Sequence, residues 1–317
     1  MNRTAESSLG SQACATGPFV LLRLILMLAF ACIAILLAYQ PLRSLMSAGR
    51  SDYYSHILLI PFVSAYFFYI ERKKILRNTG YSWKAGVPLI AAGLLAYVLA
   101  LWQKEWLGVN DFASLTTAAS IVVLWGGFVL AYGPNAFRSG RFPLLFLLFA
   151  IPVPLFLLDR FIYILQVGST EVTQRLFDVT GTTYFRDGFT YKLANISIEV
   201  AKECSGIRST LALIISCVVA GHLFLKSGWR QLVLLVAILP ITIFKNAVRI
   251  VALSLLAIYV DTRFITGSWL HHSGGVVFYI PSLGLLGVVL WWLSKGESQR
   301  RKNGIVEHRE AGRVVSQ

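Results

Sequence analysis

Eight stretches of apolar residues, each near the length a helix needs to cross a bilayer, constrain this chain more than any other feature. A hydrocarbon core about 30 Å thick takes about 20 consecutive apolar residues as a helix, whose backbone then bonds within its own segment. Runs of this kind lie near 19–39, 55–70, 85–102, 112–132, 142–158, 206–225, 232–259 and 275–293. The composition agrees, with 56% hydrophobic and 14% charged residues, where a soluble domain carries about 25% charge. The expected fold is an all-α integral membrane protein of about eight transmembrane helices, uncertain by about one. It divides into a polar N-terminal tail over 1–18, a multispanning domain over 19–294 and a charged tail over 295–317. The second and fifth runs are short and contain Pro61, and Pro143, Pro152 and Pro154, which predicts a kink or a partly re-entrant path. The first run has a single Arg3 before it and lacks a cleavage site, so it reads as a retained span and not as a removed signal peptide.

Loop charge sets the sidedness. Glu71-Arg72-Lys73-Lys74, with Arg77 and Lys84, follows the second run, and Arg138 and Arg141 follow the fourth. Lys226 and Arg230 follow the sixth; Lys295, Arg300, Arg301 and Lys302 follow the eighth. Basic loops at alternate connections predict that both termini are cytoplasmic. The net charge of +14 is therefore a feature of topology. No basic helix face and no aromatic-interleaved basic stretch points to nucleic acid, so membrane lipids are the expected surroundings. One connection is long: residues 159–203 lie outside by this count. Within it, 161–177 is expected as an amphipathic interfacial helix, and 189–200 alternates like a strand.

Three polar intrusions interrupt the apolar pattern. Glu203-Cys204-Ser205-Gly206-Ile207-Arg208-Ser209 opens the sixth run, Lys245-Asn246-Ala247-Val248-Arg249 sits inside the seventh, and His271-His272-Ser273-Gly274-Gly275 precedes the eighth. A thiol near pKa 8.5 needs a cation, a base or a helix N-terminus to become a nucleophile. Cys204 has the helix N-terminus by position, whereas Cys14, Cys32 and Cys217 read as packing or tail residues. The four cysteines show no metal spacing and no disulfide framework. No nucleotide site is apparent either, so no cofactor is implied. Lys245 and Arg249 stand four apart on one helix face beside Asn246; ionisable groups inside a span are costly and so suggest function. Arg249 lies about 18 residues into its run, roughly 27 Å at 1.5 Å per residue, near the outer edge of the bilayer. There it can stabilise an oxyanion or grip a substrate carboxylate. His271 and His272, being adjacent, do not share a helix face, so one is the base and the other a bystander. His56, in Tyr53-Tyr54-Ser55-His56 at another outer helix end, is a weaker candidate. Cys204, Arg249 and His271 thus reach one membrane face as a reactive centre, with His272, Glu203, Arg208, Asn246, Lys245 and His56 as supporting or substrate-binding residues.

The chain resembles the exosortase and archaeosortase family. The Cys204 block, Pro240 with Asn246 and Arg249, and His271 with Gly275 look like its three motifs. Tyr54-Ser55-His56 with Pro61, and Phe149-Ala150-Ile151-Pro152-Val153-Pro154, resemble its upstream blocks. The resemblance runs from about Asp52 to Leu293. It implies a membrane cysteine transpeptidase of the inner membrane of a Gram-negative, exopolysaccharide-making cell. Its partners would be exported proteins whose C-terminal tail has a Pro-Glu-Pro-like motif, a transmembrane helix and a basic cluster. It implies Cys204 as nucleophile, Arg249 as catalytic arginine, and His271, by its spacing to Gly275, as the third residue. The residues alone leave two rivals, a transporter or polysaccharide-export component and a thiol-dependent membrane acyltransferase. Oligomeric state is not legible.

Overall fold

The computed structural model describes residues 18–47, 54–77, 79–193, 196–200, 207–261 and 277–296. They form two compact units, Met1–Pro154 and Leu155–Gln317. Among the described residues, five helices are long and apolar enough to cross a membrane, or six if Arg141–Ala150 and Leu155–Thr180 count together as one broken span.

The first unit contains α1 (Pro18–Leu45), α2 (Ile60–Ile75), α3 (Trp83–Trp102), α4 (Val109–Ser139) and the short α5 (Arg141–Phe146). Pro61 sits at the start of α2, where its missing N–H costs nothing, and a 3-10 turn over Ser55–Leu58 precedes it. The helix has only 16 residues and ends in Glu71-Arg72-Lys73-Lys74, so the second run falls short of a full span by itself. In the fifth run, the helical path stops at Ala150 and resumes at Leu155, with Pro152 and Pro154 between, as the prolines predict. α4 is the pillar of this unit: 67% of its most apolar window is buried, against 6% for α1. α1 therefore presents mostly apolar surface outward, as a lipid-facing helix does. The regular path of α4 breaks at Gly133, whose φ of +85° suits glycine, and Pro134 follows it. At that break Gly80 N–H donates to the Tyr132 carbonyl at 3.1 Å and Ser82 N–H to the Leu130 carbonyl at 3.2 Å.

The second unit contains α6 (Leu155–Thr180), a three-stranded antiparallel sheet, α7 (Ile207–Phe224), α8 (Gly228–Val236), α9 (Ile238–Tyr259) and α10 (Val277–Gly296). The strands are β1 (Tyr184–Asp187), β2 (Thr190–Leu193) and β3 (Ser197–Glu199), in the order β1-β2-β3. β2 and β3 fall inside the stretch expected to be extended. β1 was not expected. Its pairing Asp187↔Thr190 leaves a two-residue turn, Gly188-Phe189, whose first position has φ of +59°, a hairpin connection that glycine at that position favours. α6 is longer than the interfacial helix expected at 161–177, and its amphipathic face serves another purpose. That face packs on α9, with Gly168 against Ile243 and Ser169 bonded to Asn246. The sheet lies over the later turns of the pair, in one core with Phe177, Ile250 and Val251.

Directions within this unit follow from the contacts. α7 and α8–α9 form a hairpin. Gln231 Nε2 donates to the Gly221 and Leu225 carbonyls at 3.2 and 2.9 Å, Leu213 and Cys217 share a core with Leu234 and Ile238, and Lys245 reaches Ser209. α10 runs parallel to α7: Tyr279 meets Ser216 at 3.1 Å, and the carbonyl of Leu293 accepts from Arg230 Nη1 at 2.6 Å. The start of α7, the later half of α9, the start of α10 and the sheet therefore share one end of the unit. Lys226, Arg230 and Lys295 mark the other.

Candidate functional site

On α9, Thr242, Lys245, Asn246 and Arg249 recur at the spacing of one helix face. α6 answers with Gln166, Ser169, Thr170 and Thr173 at the same spacing. The result is a polar seam between the two helices. Arg249 is half-buried, and the other seven side chains are buried. Asn246 Nδ2 donates to Ser169 Oγ at 3.0 Å, and Thr170 Oγ1 donates to the Gln166 carbonyl at 2.8 Å. Thr173 Oγ1, Thr242 Oγ1 and Asn246 Oδ1 are buried with no hydrogen-bond partner among the described residues. A buried amide oxygen left without a donor is costly and so needs a reason beyond packing.

The seam also grips the chain around the cysteine motif. Gln166 Nε2 donates to the Val200 carbonyl, and Lys245 Nζ donates to Ser209 Oγ in the first turn of α7. The sheet seals the end: the Tyr191 hydroxyl donates to the Thr170 carbonyl at 2.7 Å, and its ring stands edge-on to Phe177 at 5.4 Å between centroids. Burial pushes the Tyr191 phenol up to about 12. Arg186 holds the sheet to α6 from outside, through Glu171 at 2.7 Å and through Gln174.

Of the residues expected from the sequence, Lys245, Asn246 and Arg249 share the α9 face, and Arg208 falls in the first turn of α7. Glu203, Cys204, His271 and His272 lie outside the described residues. His56 belongs to the first unit, half-buried in the 3-10 turn that precedes α2. Gln166, Ser169 and Thr173 went unremarked in the sequence, and Ser209 was noted only as the last residue of the cysteine motif. Their signal was the polar stripe at 166, 169, 170 and 173, which reads as an ordinary wet helix face until α9 is known to cover it. Among the described residues, no group of three or more His, Cys, Asp or Glu gathers to hold a metal.

The first unit has a polar hub of its own. Asn110 accepts from the buried Tyr54 hydroxyl and donates Nδ2–H to the Val153 carbonyl at 2.8 Å, while Ser114 Oγ donates to the Pro152 carbonyl at 2.7 Å. Two motifs about a hundred residues apart, around Tyr54 and around Pro152, are thus joined through α4.

A family model for transmembrane exosortases matches residues 48–288, about three-quarters of the chain. The chain belongs to the transmembrane exosortase family. The match takes in both polar networks and all three polar intrusions, and leaves all of α1 outside, close to the limits at which the resemblance began and ended. Comparison with curated proteins gave no match, and neither did comparison with solved structures. This exosortase is a multi-pass membrane protein, and its family implies transpeptidase or cysteine-protease activity on exported proteins.

Proposed function

We propose that this exosortase cleaves C-terminal sorting signals from exported proteins at the outer face of the inner membrane, and that Cys204, Arg249 and His271 do the chemistry. The Cys204 thiolate attacks the scissile carbonyl and the C–N bond breaks to give a peptidyl thioester. Arg249 stabilises the oxyanion, and His271 delivers the proton to the departing amine. Water or an acceptor amine then releases the peptide from sulfur. The substrate is an exported protein ending in a short Pro-Glu-Pro-like motif, an apolar helix and a basic cluster.

One observation carries this reading beyond family membership. The helix that follows Cys204, the helix face that bears Arg249, and the helix that follows His271 have their relevant ends on one side of the second unit. In the α7–α9 hairpin, Ser209 stands level with Lys245. Arg249 lies one turn beyond Lys245 along α9, toward the end at which α7 begins, and Cys204 precedes α7 in sequence. The opposite end carries Lys226, Arg230 and Lys295, which supports a cytoplasmic side there and an outward-facing centre. An eight-span topology adds α2 with its 3-10 turn, and α7, as the two shorter spans. The transporter reading explains the buried charge but not its clustering at one end, where a conduit needs polar groups along its depth.

Cys204→Ala is expected to leave membrane insertion and abundance intact and to abolish processing of a tagged substrate. Arg249→Ala should lower the processing rate by about 100- to 1,000-fold. Mass spectrometry of a trapped Cys204 adduct should find a peptidyl thioester. A fatty acyl adduct would point to acyl transfer, and full processing by Cys204→Ala would end the assignment.

A further inference from the structure

Between Pro18 and Leu42, Arg23 is the single charged residue of α1, and the proposed chemistry does not use it. It lies in the second turn, on the face that packs against α4. Arg23, Leu26, Met27 and Phe30 are half-buried, whereas Leu22, Leu24 and Ile25 are exposed. Leu26 and Met27 join the core of Phe128 and Tyr132, and the Phe30 ring covers Gly127. The guanidinium is held in place: Nη1 donates to Thr79 Oγ1 at 2.5 Å, and its carbon stands 4.8 Å from the centre of the Tyr81 ring. Thr79 and Tyr81 flank Gly80, and the Gly80 and Ser82 N–H bonds to the Tyr132 and Leu130 carbonyls strap this loop to α4. The cation itself is left uncompensated. Among the described residues no carboxylate pairs with it, the ion pairs being Lys74–Glu71 and Arg186–Glu171, and its Nε is buried with no acceptor. A leucine at this position would avoid both costs. Further positive charge gathers at the same end of the unit, where Arg77, Lys84 and Arg138 are exposed.

We propose that Arg23, Thr79 and Tyr81 form a headgroup site for an anionic phospholipid. The phosphate lies on the exposed part of the Arg23 guanidinium, and the acyl chains run along the apolar residues beside it, Leu22 and Ile25. Thr79 Oγ1 accepts from Arg23 and has its own O–H to donate to a phosphate oxygen, as has the Tyr81 phenol. The exposed surface of α1 around Arg23 is apolar, so an anion that reaches the guanidinium from that side is one the bilayer presents. A basic pocket between membrane helices suits such a headgroup. Arg77, Lys84 and Arg138 favour a lipid of net negative charge over a zwitterionic one. The site uses neither Cys204 nor the polar seam, and so stands or falls apart from the proposed chemistry.

The test is the thermal midpoint of the full-length protein in non-ionic detergent with phosphatidylglycerol, phosphatidylcholine or inorganic phosphate added. Wild type should gain about 5 °C in phosphatidylglycerol over phosphatidylcholine, and the gain should saturate. No gain ends the proposal, and an equal gain from inorganic phosphate overturns the lipid as the source. Arg23→Gln should keep the midpoint seen in phosphatidylcholine and lose the gain. A lower midpoint with the gain retained would make Arg23 a structural residue and overturn the site. Arg23→Lys keeps the charge but not the fork or the flat face that stacks on Tyr81, so it should lose most of the gain; a full gain there reduces the site to general attraction and overturns it. Lys84→Gln and Arg138→Gln should each keep most of the gain, and a loss as large as that of Arg23→Gln has the same consequence. Tyr81→Leu changes an exposed ring and should lose about half of the gain. It decides the matter if Arg23→Gln does not fold, an unchanged gain counting against the site.

Discussion

In α3 and α4, glycines carry the contact: a Cβ on Gly86 would stand 2.7 Å from the backbone of Leu130, and one on Gly126 2.7 Å from the backbone of Ile90. Most hydroxyls along α4 turn back to their own helix, as Ser120 does to the Thr116 carbonyl at 2.7 Å, although Ser114 also reaches the Pro152 carbonyl and Thr117 Oγ1 is buried without a partner among the described residues. In α6 and α9 the contact also has one glycine, Gly168, but is otherwise made of side chains that bond across the gap or stop short of a partner. Small residues bring membrane helices together because, in lipid, packing and not water exclusion drives association. A polar seam gains less and leaves groups such as Asn246 Oδ1 unsatisfied. The first pair is therefore built for cohesion, and the second holds a polar surface that bonds to Val200 and Ser209 at some loss of cohesion. The half-buried Arg249 belongs to that surface.

This contrast makes opposite predictions for substitutions of similar size. Gly126→Leu forces a side chain into the backbone of α3 and should cost about 3 kcal/mol or more. It should be seen as loss of the monodisperse peak in gel filtration, with unchanged processing per molecule that still folds. The double variant Asn246→Leu with Ser169→Ala removes both partners of one buried bond together with the unpaired amide oxygen, a change that is near neutral or stabilising by about 1 kcal/mol. Its thermal midpoint should hold or rise, while processing falls about tenfold or more. If the double variant unfolds as Gly126→Leu does, the seam is structural after all and the contrast is lost.

Much of this was legible in the residues, for identifiable reasons. Apolar length marked the helices, because a bilayer sets a length scale that sequence can be held against. Prolines marked the start of α2 and the gap between Ala150 and Leu155, because a missing N–H acts locally. Lys245, Asn246 and Arg249 stood out because charge in an apolar run is conspicuous. The rest depended on a partner far away in sequence. Nothing near Gln166 or Ser169 shows that α9 will cover them. Asn110 looks like an ordinary helix-start residue until Tyr54 and Val153 arrive from either side. The hairpin turn at Gly188-Phe189 had a local signal in its glycine, yet it was eclipsed by reading residues 159–203 as helix then strand. Span count was the weakest element, because length and hydropathy alone do not settle α2 and α7.

The smallest effect expected concerns the lid over the polar seam. If the sheet did not dock on α6 and α9, water would reach Thr170, Thr173 and Asn246, and the comparison with the dry α3–α4 contact would lose its meaning. Tyr191 reports on that docking, being fully buried with its hydroxyl on the Thr170 carbonyl. Its phenol is pushed up to about 12 by burial, against about 10 in an unfolded chain. The raised value means that the neutral phenol is favoured in the folded state. Its contribution is fully present below about pH 10 and is lost as pH rises from there through about 12. Tyr191→Phe removes one bond and should lower stability by about 1 kcal/mol, with little change in processing at neutral pH. The difference in phenolate absorbance between wild type and Tyr191→Phe should show one group titrating near 12. A group titrating near 10 would mean that the sheet stands open and the seam is wet.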